Sequence, residues 1–150
     1  MKTSCGIIIL NEINEILMGH VTGNKFYDIP KGLQDESEEP VICAIRECQE
    51  EISLVFDDTK LTDLGRFAYN KEKNLHLFLT YVNKDSIKLD ELFCDSFFEH
   101  HYTKKQTPEV DGFKWVSVGE VVSHCAKSMG NLLTLLAKDG AFNKKLAFKP

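Results

Sequence analysis

No apolar run in the sequence approaches the roughly 20 residues that a membrane-spanning helix needs, and the amino terminus lacks the pattern of a secretory signal. A soluble, cytoplasmic chain with no membrane partner is the expectation. No C-x-x-C pair is present, and the five cysteines, at 5, 43, 48, 94 and 125, leave one over in any disulfide scheme, so reduced thiols are the simpler reading. A basic excess is also missing: 18 Lys and Arg stand against 23 Asp and Glu, a net charge of −5. That balance excludes a general phosphate-neutralising surface, and no DNA partner is expected. Internal repeats, low-complexity tracts and interdomain linkers are absent too. With 150 residues and 43% hydrophobic content, the chain reads as one domain over 1–150.

What the sequence has in excess is acid in one place. Residues 31–54 carry seven acids (Asp35, Glu36, Glu38, Glu39, Glu47, Glu50, Glu51) and two bases (Lys31, Arg46), a net of −5 that equals the charge of the whole chain. Glu47, Glu50 and Glu51 stand at i, i+3 and i+4, a spacing that on a helix puts side chains within about 5–6 Å of one another. Like charges so crowded repel unless a cation sits among them. A hard divalent cation fits, since Mg²⁺ takes oxygen ligands and keeps positions open for water and phosphates.

Periodicity places this run on a helix. Pro40 suits a first turn, Glu38 and Glu39 suit the positive end of the dipole, and Val41, Ala44, Ile45, Cys48 and Ile52 form an apolar stripe. Strands are expected over Ser4–Leu10, Glu15–Val21, Thr62–Asn70, Leu75–Val82 and Gly112–Val116, with a short extended piece over Phe26–Ile29 that stops at Pro30. Lys31–Ser37 reads as a polar loop. Helices are expected from about Gly119 to Lys127 and from Asn131 to Lys138, with Gly130 and Gly140 as breakers. The stretch Asp85–Thr107 is charged and aromatic by turns and carries little periodicity.

The run Gly32–Leu54 resembles the signature of the Nudix hydrolases, with Gly32, Glu38, Arg46, Glu47, Glu50 and Glu51 filling every charged position and the leading glycine. It departs from that pattern twice. Cys48 stands where Leu or Ile is usual, and Ser53 replaces the glycine that ends the helix in a left-handed conformation. Thr107–Ser117, T-P-E-V-D-G-F-K-W-V-S, is similar to a segment of bacterial RNA 5′-pyrophosphohydrolases and dinucleoside polyphosphate hydrolases, in which the glutamate four residues before the aromatic is a further metal-site carboxylate or base. Glu109 holds that position.

The resemblance implies an α/β (α+β) Nudix fold, a mixed, partly parallel central sheet sandwiched between helices. It implies Mg²⁺, or Mn²⁺, held by Glu47, Glu50, Glu51 and Glu109 with the backbone carbonyl of Lys31. Arg46 would hold a metal-site glutamate in place, and Glu38 would act through a water or a neighbouring ligand. The reaction implied is attack of water on a phosphorus of a nucleoside diphosphate linked to a group X, with Glu50 or Glu109 as the base. Dinucleoside polyphosphates or the 5′ end of RNA are the favoured substrates; ADP-ribose, FAD or NADH are the alternative, and a non-catalytic nucleotide-binding module is the alternative of another class. Lys31 reads as a phosphate contact or a loop lysine. Phe26, Tyr27 and Tyr81 are candidates to stack on a base, although aromatics in strands are more often core. His100-His101 is not expected to bind metal, because adjacent side chains point apart. The basic tail with Lys144, Lys145 and Lys149 reads as a solvated terminus or an aid to RNA binding. A monomer or homodimer is expected.

Overall fold

The computed structural model describes residues 1–143, so the basic tail with Lys144, Lys145 and Lys149 lies outside the described residues. In chain order the elements are β1 (Lys2–Leu10), β2 (Glu15–Val21), β3 (Tyr27–Asp28), β4 (Lys31–Leu33), α1 (Pro40–Ile52), β5 (Thr62–Ala68), β6 (Lys73–Tyr81), β7 (Phe97–Glu99), β8 (Gln106–Pro108), β9 (Val110–Ser117), α2 (Val121–His124) and α3 (Lys127–Lys138). Seven strands form one mixed sheet in the order β3-β2-β1-β6-β5, with β4 also paired to β1 and β9 to β2. Parallel pairing joins β1 to β6, from Lys2↔Lys73 to Leu10↔Tyr81, and the other pairings are antiparallel. A separate two-stranded ribbon is made by β7 and β8. Among the described residues no helix is long and apolar enough to cross a membrane.

The run C-G-I-I-I-L lies at the centre of the sheet because it can bury both faces, as a strand with parallel pairing and helices on either side must. Its alternation divides the core. Cys5, Ile7 and Ile9 pack with Leu17, Phe78 and Trp115 under α1, on Cys43, Ala44, Cys48 and Ile52. Ile8 and Leu10 pack with Ile16, Met18, Leu75, Leu77 and Leu79 against Met129, Leu133 and Leu136 of α3. Each of these large side chains contributes about 1.5–3 kcal/mol by leaving water.

Three differences from the sequence reading have physical causes. Lys31–Leu33 is a strand and not loop, since its backbone pairs with β1 (Gly6↔Lys31, Cys5↔Gly32, Ser4↔Leu33) without needing an apolar side chain. Gly130 does not break a helix: α3 starts at Lys127 and runs through it. A Cβ there would stand 3.1 Å from Val122 Cα and 3.3 Å from the Val121 carbonyl oxygen, so this glycine permits close approach to α2. In the apolar stripe of α1, Cys43 is buried while Ile45 is only half-buried.

Helix α1 begins with Pro40 at its first turn and ends at Ser53, which adopts the left-handed conformation (φ 62°, ψ 11°) and donates its N–H to the Gln49 carbonyl. A non-glycine residue there costs about 1–2 kcal/mol. Ser53 offsets part of that by accepting the Phe93 N–H on Oγ at 3.1 Å, which ties the segment before β7 to the end of α1. Ser53→Gly removes both terms and is expected to leave unfolding free energy within about 1 kcal/mol of the parent, whereas Ser53→Ala keeps the strain and loses roughly 0.5–1.5 kcal/mol. Urea denaturation of the two variants checks this ordering.

Candidate active site

Residues Pro30 to Ile52 bring the acidic run to the edge of the sheet. Antiparallel pairing of β4 with β1 lays Gly32 alongside α1, and the apolar stripe of the helix fixes its rotation so that Arg46 and Glu47 face β4 while Glu51 lines the cavity beside it. Arg46 is the centre of this surface. Its Nε donates to Glu38 Oε2 at 2.8 Å and its Nη2 to Glu38 Oε1 at 3.0 Å, a bidentate pair. Nη1 donates to Glu47 Oε1 at 2.9 Å and to Glu50 Oε1 at 3.3 Å, and Nη2 also reaches the Leu33 carbonyl. The guanidinium holds the Glu38 carboxyl down to about 2, and the glutamates raise the Arg46 pKa further above its ordinary value.

The other carboxylates are less well compensated. Burial pushes the Glu47 carboxyl up against the opposing pull of Arg46, with the charges of Glu50 and Glu109 adding to the rise. Burial also pushes the Glu51 carboxyl up to about 8, although Glu51 Oε1 accepts the Lys31 backbone N–H at 2.9 Å and the Lys31 ammonium opposes the rise. The Lys31 side chain itself pairs with Asp28 at 2.9 Å; burial disfavours its charge, but Asp28 more than offsets this and raises its pKa.

A cavity of about 420 Å³ opens beside these groups, lined by Asp28, Lys31, Glu51, Phe98, Glu109 and Val110 among others. Glu109 enters from the junction of β8 and β9, fixed by its N–H donating to the Ser96 carbonyl at 2.8 Å and by its own carbonyl accepting the Thr22 N–H at 3.1 Å. The structure therefore brings together Lys31, Glu38, Arg46, Glu47, Glu50, Glu51 and Glu109 around one edge of the sheet.

The three aromatic candidates lie elsewhere. Tyr27 alternates with Asp28, so its ring points away from the cavity, edge-on to His20 and beneath the Lys114 ammonium. Phe26 sits half-buried under Lys25 and does not line the cavity. Tyr81, at the far end of β6, lines a separate hollow with Phe56, Thr59 and Lys60. The aromatic that does line the cavity is Phe98, which the sequence reading passed over inside Asp85–Thr107; the cluster F-F-E-H-H-Y was the available signal.

The donor set suits a hard divalent cation, because it consists of carboxylates with backbone carbonyls close by and lacks paired sulfur or imidazole. Gly32 adds a cradle: a Cβ there would overlap the Glu47 carboxylate, so only glycine lets that group lie where it does over β4. Among the described residues no three His, Cys, Asp or Glu groups already converge as a closed metal cage. Glu47 and Glu50 lean on Arg46 and Glu51 on the Lys31 N–H, so a bound cation would share these carboxylates with those donors.

The Glu38–Arg46 pair has a pH signature. The folded-state pKa of Glu38 lies below its unfolded value, so its stabilisation is present above about pH 4.5 and is lost as pH falls through about 2. Glu38→Gln is expected to unfold about 1–2 kcal/mol more easily at pH 7, and that difference from the parent should shrink as pH drops below about 4.5. Chemical denaturation of both proteins across pH 2.5–7 checks it; a difference independent of pH contradicts the pairing.

The pattern of the NUDIX domain matches residues 2–136. An uncharacterised 17.7 kDa protein of Enterobacteria phage T4, from the e-segB intergenic region, is 35% identical over 123 residues, covering 75% of this chain and 81% of the phage protein. The RNA pyrophosphohydrolase of Vibrio atlanticus is 31% identical over 134 residues, covering 81% of this chain and 76% of its own. In the crystal structure of a C. elegans Ap4A hydrolase binary complex the same fold covers 94% of this chain and 98% of that one, with a TM-score of 0.65 at 20% identity. The signature over Gly32–Leu54, the mixed sheet that presents it and these matches together make the chain a member of the NUDIX domain family.

Proposed function

We propose that this chain is a divalent-metal-dependent pyrophosphohydrolase whose substrate is the 5′ polyphosphate of RNA, with dinucleoside polyphosphates as substrates of the same chemistry. The observation that carries the reading is the convergence of Lys31, Glu51 and Glu109 on one cavity beside the carboxylates held by Arg46. The likeness to the Vibrio RNA pyrophosphohydrolase, across four-fifths of the chain, supports RNA over other nucleotides.

Glu47, Glu50, Glu51 and Glu109, with the carbonyl of Lys31, would hold Mg²⁺ or Mn²⁺. When bound, the ion supplies charge neutralisation for the phosphate oxygens and Lewis acidity at the reacting phosphorus. The residues of the chain do the rest. Arg46 fixes Glu47 and Glu50 so that neither swings into solvent, and Gly32 leaves room for Glu47. A water attacks phosphorus, a P–O bond forms, the phosphoanhydride P–O bond breaks, and the leaving phosphate takes the bonding pair. The water's proton passes to a carboxylate. Glu109 is better placed for that role than Glu50, because it lines the cavity whereas Glu50 is engaged with Arg46.

Glu51→Gln removes one charge from the metal-binding face and is expected to lower kcat at least about 100-fold while leaving thermal unfolding near that of the parent. Near-normal turnover would remove Glu51 from the site. A panel with Mg²⁺ or Mn²⁺ tests the substrate: kcat/KM should be highest on a 5′-triphosphorylated oligoribonucleotide, lower on diadenosine polyphosphates, and lowest on ADP-ribose, FAD and NADH. A preference for ADP-ribose or FAD reassigns the substrate. Nucleotide binding without metal-dependent phosphate release makes the chain a binding module.

A further inference from the structure

The ribbon of β7 and β8 is not used by the chemistry above, yet it rises directly from the site. Its base is fixed at both ends to carboxylate-bearing segments: the Asp95 N–H donates to the Glu50 carbonyl at 2.6 Å, and the Glu109 N–H donates to the Ser96 carbonyl at 2.8 Å. The strands pair as Phe97↔Pro108, Phe98↔Thr107 and Glu99↔Gln106, and the His100 N–H then donates to the Lys105 carbonyl. Strand alternation puts Phe98, His100, Lys105 and Thr107 on one face of this ribbon. Since Phe98 lines the cavity, that face is continuous with the catalytic hollow.

The side chains along it have one chemical theme. Phe98 is exposed by 37% and Tyr102, at the tip, by 85%, which leaves both rings open to a planar partner. Tyr102 sits edge-on to His101, with ring centroids 4.9 Å apart. His100 Nδ1 accepts the N–H groups of Tyr102 and Thr103, so its ring proton is on Nε2, left as a donor. Lys104 and Lys105 outnumber Glu99, which makes the ribbon's outer end net positive in a chain whose net charge is −5. Aromatic faces interleaved with cations are what a flexible single strand needs, because every base has a stacking face and every nucleotide a phosphate. The acidic face of α1 repels phosphates that are not metal-bound, so the positive end of the ribbon is where the following phosphates are accommodated.

We propose that the β7–β8 ribbon is a binding arm for single-stranded RNA, with Phe98 stacking on the first base outside the reacting phosphates and His100, Tyr102, Lys104 and Lys105 contacting the nucleotides that follow. This deepens the reading of the chain as an enzyme of RNA 5′ ends and rests on it for the identity of the reacting group. Dinucleoside polyphosphates end after one nucleoside on either side of the phosphates and have no following nucleotides for the tip to contact. The arm therefore separates long from short substrates at one and the same catalytic centre.

The test uses the full chain, the double variant Lys104→Gln/Lys105→Gln and Tyr102→Ser, all at the exposed tip, with thermal unfolding as a check of folding. Fluorescence anisotropy with a labelled 5′-monophosphorylated oligouridylate of about eight nucleotides reads binding without chemistry. The parent should bind it, the double variant about tenfold more weakly at low salt, with the slope of log K against log salt reduced by roughly 1.4. Tyr102→Ser should weaken binding about tenfold with the salt slope unchanged. In hydrolysis, kcat/KM on 5′-triphosphorylated RNA should fall for both variants in the same proportion, while diadenosine tetraphosphate hydrolysis stays at the parent's level. Equal affinity and equal salt slope for parent and double variant would overturn the arm, even if the enzyme hydrolyses RNA ends. Length-dependent binding that the variants abolish, with no release of phosphate from any RNA, would instead overturn the proposed reaction and leave the arm standing.

Discussion

One guanidinium organises the acidic surface of this protein. Arg46 binds Glu38 through two parallel hydrogen bonds and reaches both Glu47 and Glu50 with its remaining nitrogen, Nη1, while Nη2 also touches the Leu33 carbonyl. A planar, permanently charged fork can satisfy these geometries together; a lysine ammonium offers a point charge and no fixed fork. Because Glu38 lies before α1, Leu33 on β4, and Glu47 and Glu50 on the helix, the same side chain fastens the loop to the helix. Without it the helix would present three mutually repelling carboxylates along one edge.

Arg46 leaves part of the negative charge unanswered. Glu51 is too far round the helix for the guanidinium and meets only the Lys31 N–H and a lysine already paired with Asp28. Its carboxyl is pushed up to about 8 by burial. Such a group costs stability when ionised without a cation, which natural sequences retain at sites that bind one. Gly32 follows the same logic, since its missing Cβ makes room for Glu47 to bend over β4. Ser53 shows the opposite compromise: the helix end keeps its left-handed turn without glycine, and the hydroxyl is used to anchor the segment leading to the β7–β8 ribbon.

The parts legible in the sequence were those in which side-chain type and backbone geometry say the same thing. The central strand was visible because I-I-I-L needs two buried faces, and α1 because Pro40, Ala44, Cys48 and Ile52 agree with helical spacing. Glu109 was singled out by its motif, and it lines the same cavity as Glu51. Features carried by the backbone alone were not legible: β4 pairs through N–H and carbonyl groups of K-G-L, and Gly130 continues a helix because a neighbouring helix lies too close for a Cβ. The aromatics show the limit most clearly. Tyr27 and Tyr81 belong to strands whose alternation and register direct them away from the cavity, and no local pattern distinguishes them from Phe98, which reaches it only because the ribbon folds back over the helix end.

The face of α1 bearing Glu47, Glu50 and Glu51 is proposed as a divalent cation site assembled around Arg46. Titration of the metal-free protein with Mn²⁺, followed by the loss of free-ion electron paramagnetic resonance signal, measures this without any substrate. Saturable binding is predicted for the parent, with a large loss of affinity in a Glu47→Gln/Glu51→Gln variant that remains folded. Identical Mn²⁺ titrations for the two proteins would contradict the account.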